Sequence, residues 1–468
     1  MPENRTQTPH ADELREAVAA GFPVAVADLS GLVRIPSVSW DGFDPAHVEA
    51  SAEAVRALAE ATGVFEDIRI VREPYGDDGR LGLPAVIATR AARNGKPTIL
   101  LYAHHDVQPP GEDASVWESS PFEPTLRGDR LYGRGAADDK AGVMAHLGAI
   151  RALTEVLGTD LEVGLVLFAE GEEEFGSRSL GEILRRHRDR LASDVIVVAD
   201  SGNWDLDTPA LTVALRGAVA FNLRVTTLAH ASHSGMMGGA VPDAPMAAIR
   251  LLSTLWNDDG SVAVAGLTTH EAETPEYGEA KLREESGLLE GASPIGRGEI
   301  LTRLWYQPSI TVTGMDIPNI KNASNTLVPS VRVRISARVA PGQTWQDAFA
   351  AIEAHLHAHA PHGAEIAIED LDSGHPFLVD TSGWAASDAL ETMGEAYGRD
   401  AVEIGAGGSI PFIADLVELF PAAQILITGV EDPDSRAHSP NESVHLPTFQ
   451  RAILAEALLL ARLEGRMP

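Results

Sequence analysis

The sequence contains no cysteine, which excludes disulfides, a thiol nucleophile, iron–sulfur clusters and thiolate zinc sites. Any metal must therefore be held by His, Asp and Glu. Basic residues are scarce: 36 Lys+Arg stand against 68 Asp+Glu, for a net charge of −32. Nucleic acid and anionic lipid both reward clustered Lys and Arg, so neither is expected as a partner. Long apolar runs are missing as well. The N-terminal MPENRTQTPHADELREAV is polar and lacks a signal-peptide core. No window approaches the ~18 to 20 apolar residues that cross a bilayer. A cytoplasmic protein is the expectation. The chain also lacks HExxH, a GxSxG elbow, a Walker loop and GxGxxG, leaving zincin, α/β-hydrolase and nucleotide-dependent readings without support.

What is present is ordinary globular material: 468 residues, 44% hydrophobic and 22% charged. A chain of this length buries about three quarters of its unfolded surface, and about two or three domains are expected. Short apolar runs, TILLYA (98–103), VGLVLFA (163–169), DVIVVA (194–199) and QILITG (424–429), read as buried strands. Helical patterns alternate with them. In AGVMAHLGAIRALTEVLG (141–158), Val143, Leu147, Ile150, Leu153 and Leu157 recur every three or four residues, and VEASAEAVRALAEATG (48–63) is amphipathic too. That alternation predicts an α/β class protein, a catalytic α/β/α domain around a central, mostly parallel sheet.

The middle of the chain changes character. Strand (218–229), helix (242–256), two strands (SITVTGMDI and LVPSVRVRISARVA), helix (344–360) and strand (365–371) follow one another. This βαββαβ order predicts an inserted ferredoxin-like α+β domain. The expected boundaries are 1–215 for the first part of the catalytic domain, 216–376 for the insertion and 377–468 for the second part. Residues 257–300, polar and rich in Gly and Glu, read as a long loop carrying one short helix.

Acidic and His residues collect just after the apolar strands. TILLYA runs into His104, His105 and Asp106; VGLVLFA into Glu170, Gly171, Glu172, Glu173 and Glu174; DVIVVA into Asp200; QILITG is followed by His438. In open α/β sheets, ligands bind beyond the carboxyl ends of the strands. A further segment, LYGRGAADDKAG, puts Asp138 and Asp139 at a turn feeding a helix. Carboxylates brought this close raise one another's pKa values unless a cation intervenes. His with Asp and Glu suits zinc, with manganese or cobalt as alternatives. Two His and three carboxylates, one of them bridging, serve two ions and leave each an open position. Such a pair activates water and polarises a carbonyl together.

At these residues the sequence resembles the di-zinc exopeptidases and amidohydrolases: carnosinase-type cytosolic dipeptidases, glutamate carboxypeptidase, aminoacylase, acetylornithine deacetylase and succinyl-diaminopimelate desuccinylase. The motifs that carry the resemblance are YAHHDVQP (102–109), WESSPFEPTLRGDRLYGRGAADDKAG (117–142), EGEEEFGS (170–177), VVADSG (197–202) and AHSPNE (437–442). They span the chain in order, and the insertion falls where this family carries its lid and dimerisation domain. GGSIP (407–411), with YAHHDVQP, tilts the resemblance toward the dipeptidase branch.

The resemblance implies roles residue by residue. His104 and Asp200 would hold one ion, Glu174 and His438 the other, and Asp138 would bridge. Asp106 would fix the His104 tautomer. Glu173 would be the general base, taking a proton from the attacking water and passing it to the leaving amine. In the lid, His233 would reach a partner subunit's active site to stabilise the oxyanion. Asn325 and Arg338 would contact the substrate, Arg338 its carboxylate, with Gly408 and Ser409 beside that carboxylate. His105 competes with His104 as ligand, and the motif favours His104. The implied activity is hydrolysis of dipeptides or short peptides with a free C-terminal carboxylate, in a homodimer. The alternatives are an N-acyl-amino-acid amidohydrolase, a non-catalytic metal- or peptide-binding protein on the same scaffold, and a two-metal phosphoesterase. The HLHAHAPH tract (355–362) has no accompanying carboxylate motif and reads as a solvent-facing helix.

Overall fold

A computed structural model describes residues 8–77, 79–111, 113–407 and 411–466. The chain divides into two compact units. The first comprises Met1–Val213, Val379–Ile404 and Asp415–Pro468; the second comprises Ala214–Leu378 and Gly405–Ala414. In chain order the principal elements are α1 (Ala11–Val33), α2 (Ala46–Ala61), β1 (Asp67–Val71), β2 (Ala85–Arg90), β3 (Thr98–His104), α3 (Lys140–Leu157), β4 (Gly164–Glu170), β5 (Val195–Val198) and β6 (Ala210–Leu215). Then come β7 (Gly217–Thr226), α4 (Ala244–Ser253), β8 (Ser309–Asp316), β9 (Ser330–Val339), α5 (Trp345–Ala358) and β10 (Glu365–Gly374). The chain closes with α6 (Trp384–Tyr397), β11 (Gln424–Ile427) and α7 (Leu446–Gly465).

The main sheet runs β1-β2-β4-β3-β5-β11-β6. Its centre, β4-β3-β5-β11, is parallel throughout. These are the four apolar runs of the sequence, and every residue of β4 is buried. Strands buried on both faces need covering helices, and α1, α3 and α7 pack on one another with α3 against β3. The outer strands run antiparallel: β1 to β2, β2 to β4, and β6 to β11. The α/β class with a mostly parallel central sheet is as the sequence predicts.

One expectation needs correction. The sequence reading found no stretch of membrane-spanning length, yet the 23-residue α1 contains an 18-residue window of mean hydropathy 1.4, long and apolar enough to cross a bilayer. In the structure Leu14, Val18, Ala25, Leu29 and Leu32 are buried along one face. That face packs on α3 and α7. The small residues of AVAAGFPVAVA raise the mean hydropathy without forming a continuous run of large apolar side chains.

In the second unit β8-β9-β7-β10 form an antiparallel sheet. With α4 and α5 the order is βαββαβ, the ferredoxin-like arrangement. Alternate residues of β7 (Val219, Phe221, Leu223, Val225) and β9 (Val331, Val333, Ile335, Ala337, Val339) face Ala248, Leu251, Ile352 and Leu356 of the helices in one apolar cluster. The segment between α4 and β8 carries two short helices, Glu279–Ser286 and Ile300–Trp305.

Candidate metal centre

Three parallel strands deliver the site to one rim. His104 ends β3 and lies in register beside Glu170, the last residue of β4. Asp200 follows β5 by two residues, and β5 pairs with β3 through Tyr102 opposite Val198. Loops leaving parallel neighbours emerge on the same edge. Asp138 comes from the turn that starts α3, and His438 from the loop before α7. The His438 backbone has φ of 59°, a region that non-glycine residues adopt rarely and mostly where the surroundings hold them there.

Asp138 is the hub. Its Oδ1 lies 3.0 Å from His104 Nε2, and its Oδ2 lies 2.9 Å from His438 Nε2. Glu174 Oε2 is 3.1 Å from His438 Nε2, and Asp200 Oδ1 is 3.9 Å from His104 Nε2. Two groups of donor atoms, each within 4.8 Å, result: His104, Asp138 and Asp200, and Asp138, Glu174 and His438. They share Asp138, whose two oxygens face opposite ways. Glu173 stands beside them, Oε2 4.0 Å from His104 Nε2.

The electrostatics call for cations. Burial pushes the Asp200 carboxyl up to about 7, and Asp138 and Glu174 add to it. Burial and then Asp200 drive Glu173 well above the usual carboxylate range, and burial with Asp138 raises Glu174. Asp138 goes the other way: burial disfavours its charge, but the hydrogen bonds from His104 and His438 outweigh that and hold it low. His438 is pushed up to about 11 by Asp138 and Glu174. A cation among these groups would offset the burial and like-charge repulsion that raise the carboxyls. An all-oxygen-and-imidazole donor set with two three-donor groups fits two divalent ions of the zinc type.

Asp106 ties the loops together. Its carboxylate accepts the backbone N–H groups of Glu173 (3.2 Å) and Glu174 (3.1 Å). His104 Nδ1 lies 3.1 Å from the Asp106 carbonyl oxygen and 3.5 Å from its carboxylate. His105 turns away, its Nε2 on the Pro84 carbonyl at 3.0 Å, and burial lowers its pKa to about 4. Asp139 accepts the His104 backbone N–H at 3.2 Å.

Several contributors escaped the sequence reading. Gln108 donates from Nε2 to Glu174 Oε2 at 2.7 Å, and its own backbone N–H reaches Glu174 Oε1 at 3.2 Å. Glu442 is fully buried and accepts the backbone N–H of Ala137 and Asp138 as well as Arg134 Nη1 at 2.5 Å. Glu431 is driven up by burial and by Asp138 and Asp200, so a further carboxylate borders the site. Gln108 and Glu442 lie inside the motifs quoted above, but no spacing rule marks them, since their partners are distant in sequence.

The remaining expected residues belong to the second unit. His233 ends a short strand paired with Thr326–Leu327, and its Nδ1 accepts from the Gly235 N–H at 3.0 Å. The Asn325 carbonyl accepts the Ser234 N–H at 2.9 Å. Arg338 lies on β9, opposite Ala218 of β7 and Ser309 of β8. Gly408 and Ser409 lie outside the described residues.

The profile of peptidase family M20/M25/M40 matches residues 100–462. The chain belongs to that family. It is 34% identical over 423 residues to the cysteinylglycine-S-conjugate dipeptidase of Corynebacterium striatum, covering 89% of this chain and 91% of that one. It is 27% identical to the Cys-Gly metallodipeptidase dug1 of Schizosaccharomyces pombe, over 94% of this chain and 96% of that one. Among solved structures, the di-peptidase Dug1p of Saccharomyces cerevisiae superposes with a TM-score of 0.76 at 21% identity, covering 98% of this chain and 99% of that one. Human carnosine dipeptidase 1 gives 0.71 at 22%, over 97% and 100%. The protein is thus a peptidase of the M20 family, on the dipeptidase side of it.

Proposed function

We propose that this M20 peptidase cleaves the amide bond of dipeptides or short peptides with a free C-terminal carboxylate. The observation that supports this best is Asp138 shared between two three-donor groups, with Glu173 next to them. His104 and Asp200 would hold one divalent ion and Glu174 and His438 the other, with Asp138 common to both and zinc as the metal. Such ions supply Lewis acidity to a carbonyl and lower the pKa of water. Glu173 takes the proton of the attacking water and returns it to the leaving amine. Asp106 keeps the Glu173 and Glu174 backbone in place, so base and ligand move as one piece. His233 stabilises the oxyanion in a partner subunit, and Asn325, Arg338, Gly408 and Ser409 bind the substrate, Arg338 its carboxylate. The protein acts as a cytoplasmic homodimer. Relatives named for Cys-Gly and β-Ala-His dipeptides guide the choice of substrates.

The test is a hydrolysis panel of free dipeptides, a C-terminally amidated dipeptide, and N-acetyl and N-succinyl amino acids. Each is run with zinc or manganese and with chelator, beside Glu173→Ala. The expected result is metal-dependent cleavage of free dipeptides, lost on amidation and in the variant. Cleavage of only the acylated amino acids moves the answer to a deacylase. Metal binding without any turnover supports a binding protein.

A further inference from the structure

The second unit contains a pair of arginines whose arrangement the proposed reaction has not yet used in full. Arg216 is only 8% exposed. Its Nη1 reaches the Gln307 carbonyl at 3.4 Å and Ser309 Oγ at 3.3 Å, both long contacts, while its buried Nε has no hydrogen-bond partner among the described residues. The Arg216 backbone N–H donates to the Ala406 carbonyl, and a Cβ added at Gly407 would sit 3.1 Å from Nη2. Arg338 is its neighbour: Arg338 pairs across the sheet with Ala218, two residues from Arg216, and with Ser309, the residue that Arg216 contacts. Burial and the Arg338 charge push Arg216 down to about 10.

A buried guanidinium beside a second one, with no acidic partner among the described residues, is unfavourable by itself. It is all the less expected in a chain of net charge −32. An anion completes such a pair. Two guanidiniums can each direct N–H groups at a carboxylate, and charge-assisted bonds of this kind are the strong ones.

We propose that Arg216 is a specificity-determining residue that joins Arg338 in an anion site for the C-terminal carboxylate of the peptide. This rests on the dipeptidase reading above. Arg338 is the half-buried member of the pair; Arg216 is the fixed, desolvated one, and its charge therefore acts at low dielectric. Gly407 leaves the approach to Nη2 free of a side chain.

The experiment compares wild-type holoenzyme with Arg216→Lys and Arg216→Met on alanyl-glycine and its C-terminal amide. In Arg216→Met the ratio of kcat/KM for the free peptide to that for the amide falls about 10- to 100-fold, through KM for the free peptide and not kcat. Arg216→Lys recovers most of that ratio. An equal loss on both substrates, or no loss on either, overturns the proposal. Failure of the dipeptidase reading is recognised separately, as wild-type protein that cleaves neither compound. In that case calorimetry with the CH2–NH isostere of alanyl-glycine, free and amidated, decides. A preference for the free acid that Arg216→Met abolishes upholds the anion site, and equal binding overturns it. Acetate and phosphate serve as probes of a general anion site: binding as tight as the free-acid isostere removes the peptide from the proposal and so overturns it.

Discussion

Replacing Glu442 by glutamine separates a buried charge pair that carries the Asp138 turn. Glu442 is fully buried and Arg134 is 1% exposed. One carboxylate oxygen accepts from Arg134 and the other from the Ala137 and Asp138 backbone N–H groups at 3.0 and 3.1 Å. A glutamine has one carbonyl oxygen, so its NH2 group must face either the guanidinium or the backbone amides, donor against donor. Burial opposes the Glu442 charge and Arg134 favours it, so the pair as a whole adds little net stability. Breaking it leaves Arg134 buried without a carboxylate partner, with only the Pro109 carbonyl at 3.4 Å as a further acceptor, at a cost of about 3–5 kcal/mol. Because the freed amides belong to the residues that present Asp138, metal affinity falls too, by about 10- to 100-fold. Urea unfolding gives the first quantity, and competition with a chromophoric chelator gives the second. The double variant Arg134→Met/Glu442→Gln regains part of the stability, since the orphaned charge is gone. A single variant within about 0.5 kcal/mol of wild type, with metal affinity unchanged, would refute the reasoning.

Gly429→Ala places a Cβ 1.7 Å from the Ser201 carbonyl oxygen, displacing the backbone next to Asp200. It should cost about 1–3 kcal/mol and weaken metal binding, read by melting and by chelator competition. Gly171→Ala meets the Pro84 carbonyl at 2.1 Å and should move the loop that bears Glu173 and Glu174, lowering kcat more than it raises KM. His146 is buried between Glu456, 2.8 Å from Nδ1, and the Tyr102 carbonyl, 2.9 Å from Nε2. Burial disfavours its imidazolium, but Glu456 outweighs that and the pKa is raised. Its stabilisation is therefore complete below the unfolded value of about 6.5 and disappears as pH rises through the folded one. The gap between wild type and His146→Gln in urea midpoint should be widest near pH 6 and shrink toward pH 9; a gap that widens with pH contradicts the charged pair. Zinc at a hundredfold excess over its Kd should stabilise the protein by about 2.7 kcal/mol, and a melting temperature indifferent to chelator would remove the metal centre from the argument.

Much of the fold was legible locally because its signals are local. Apolar runs too short for helices and bounded by polar residues identified β3, β4, β5 and β11. The βαββαβ order of elements identified the antiparallel sheet of the second unit. The antiparallel additions β1, β2 and β6 were missed. ALTVAL in β6 is six buried residues, and such a run does not state its pairing direction. The hydropathy of α1 is not legible as a run, because small apolar residues such as those of AVAAGFPVAVA raise its mean while only one face of the helix is buried.

For the site, sequence alone determined which side chains are available: no thiolate, and His, Asp and Glu placed just after buried strands. Parallel pairing then forces those positions to one edge, which is why motif order carried so far. Tertiary structure decided the rest. Only the meeting of the β3 end, the α3 turn and the loop before α7 turns the two oxygens of Asp138 toward His104 and His438. Only packing sends His105 to the Pro84 carbonyl and leaves His104 in the cluster. Orientation depends on contacts between residues hundreds of positions apart, such as Arg134 with Glu442, and a linear pattern holds no record of distance in space.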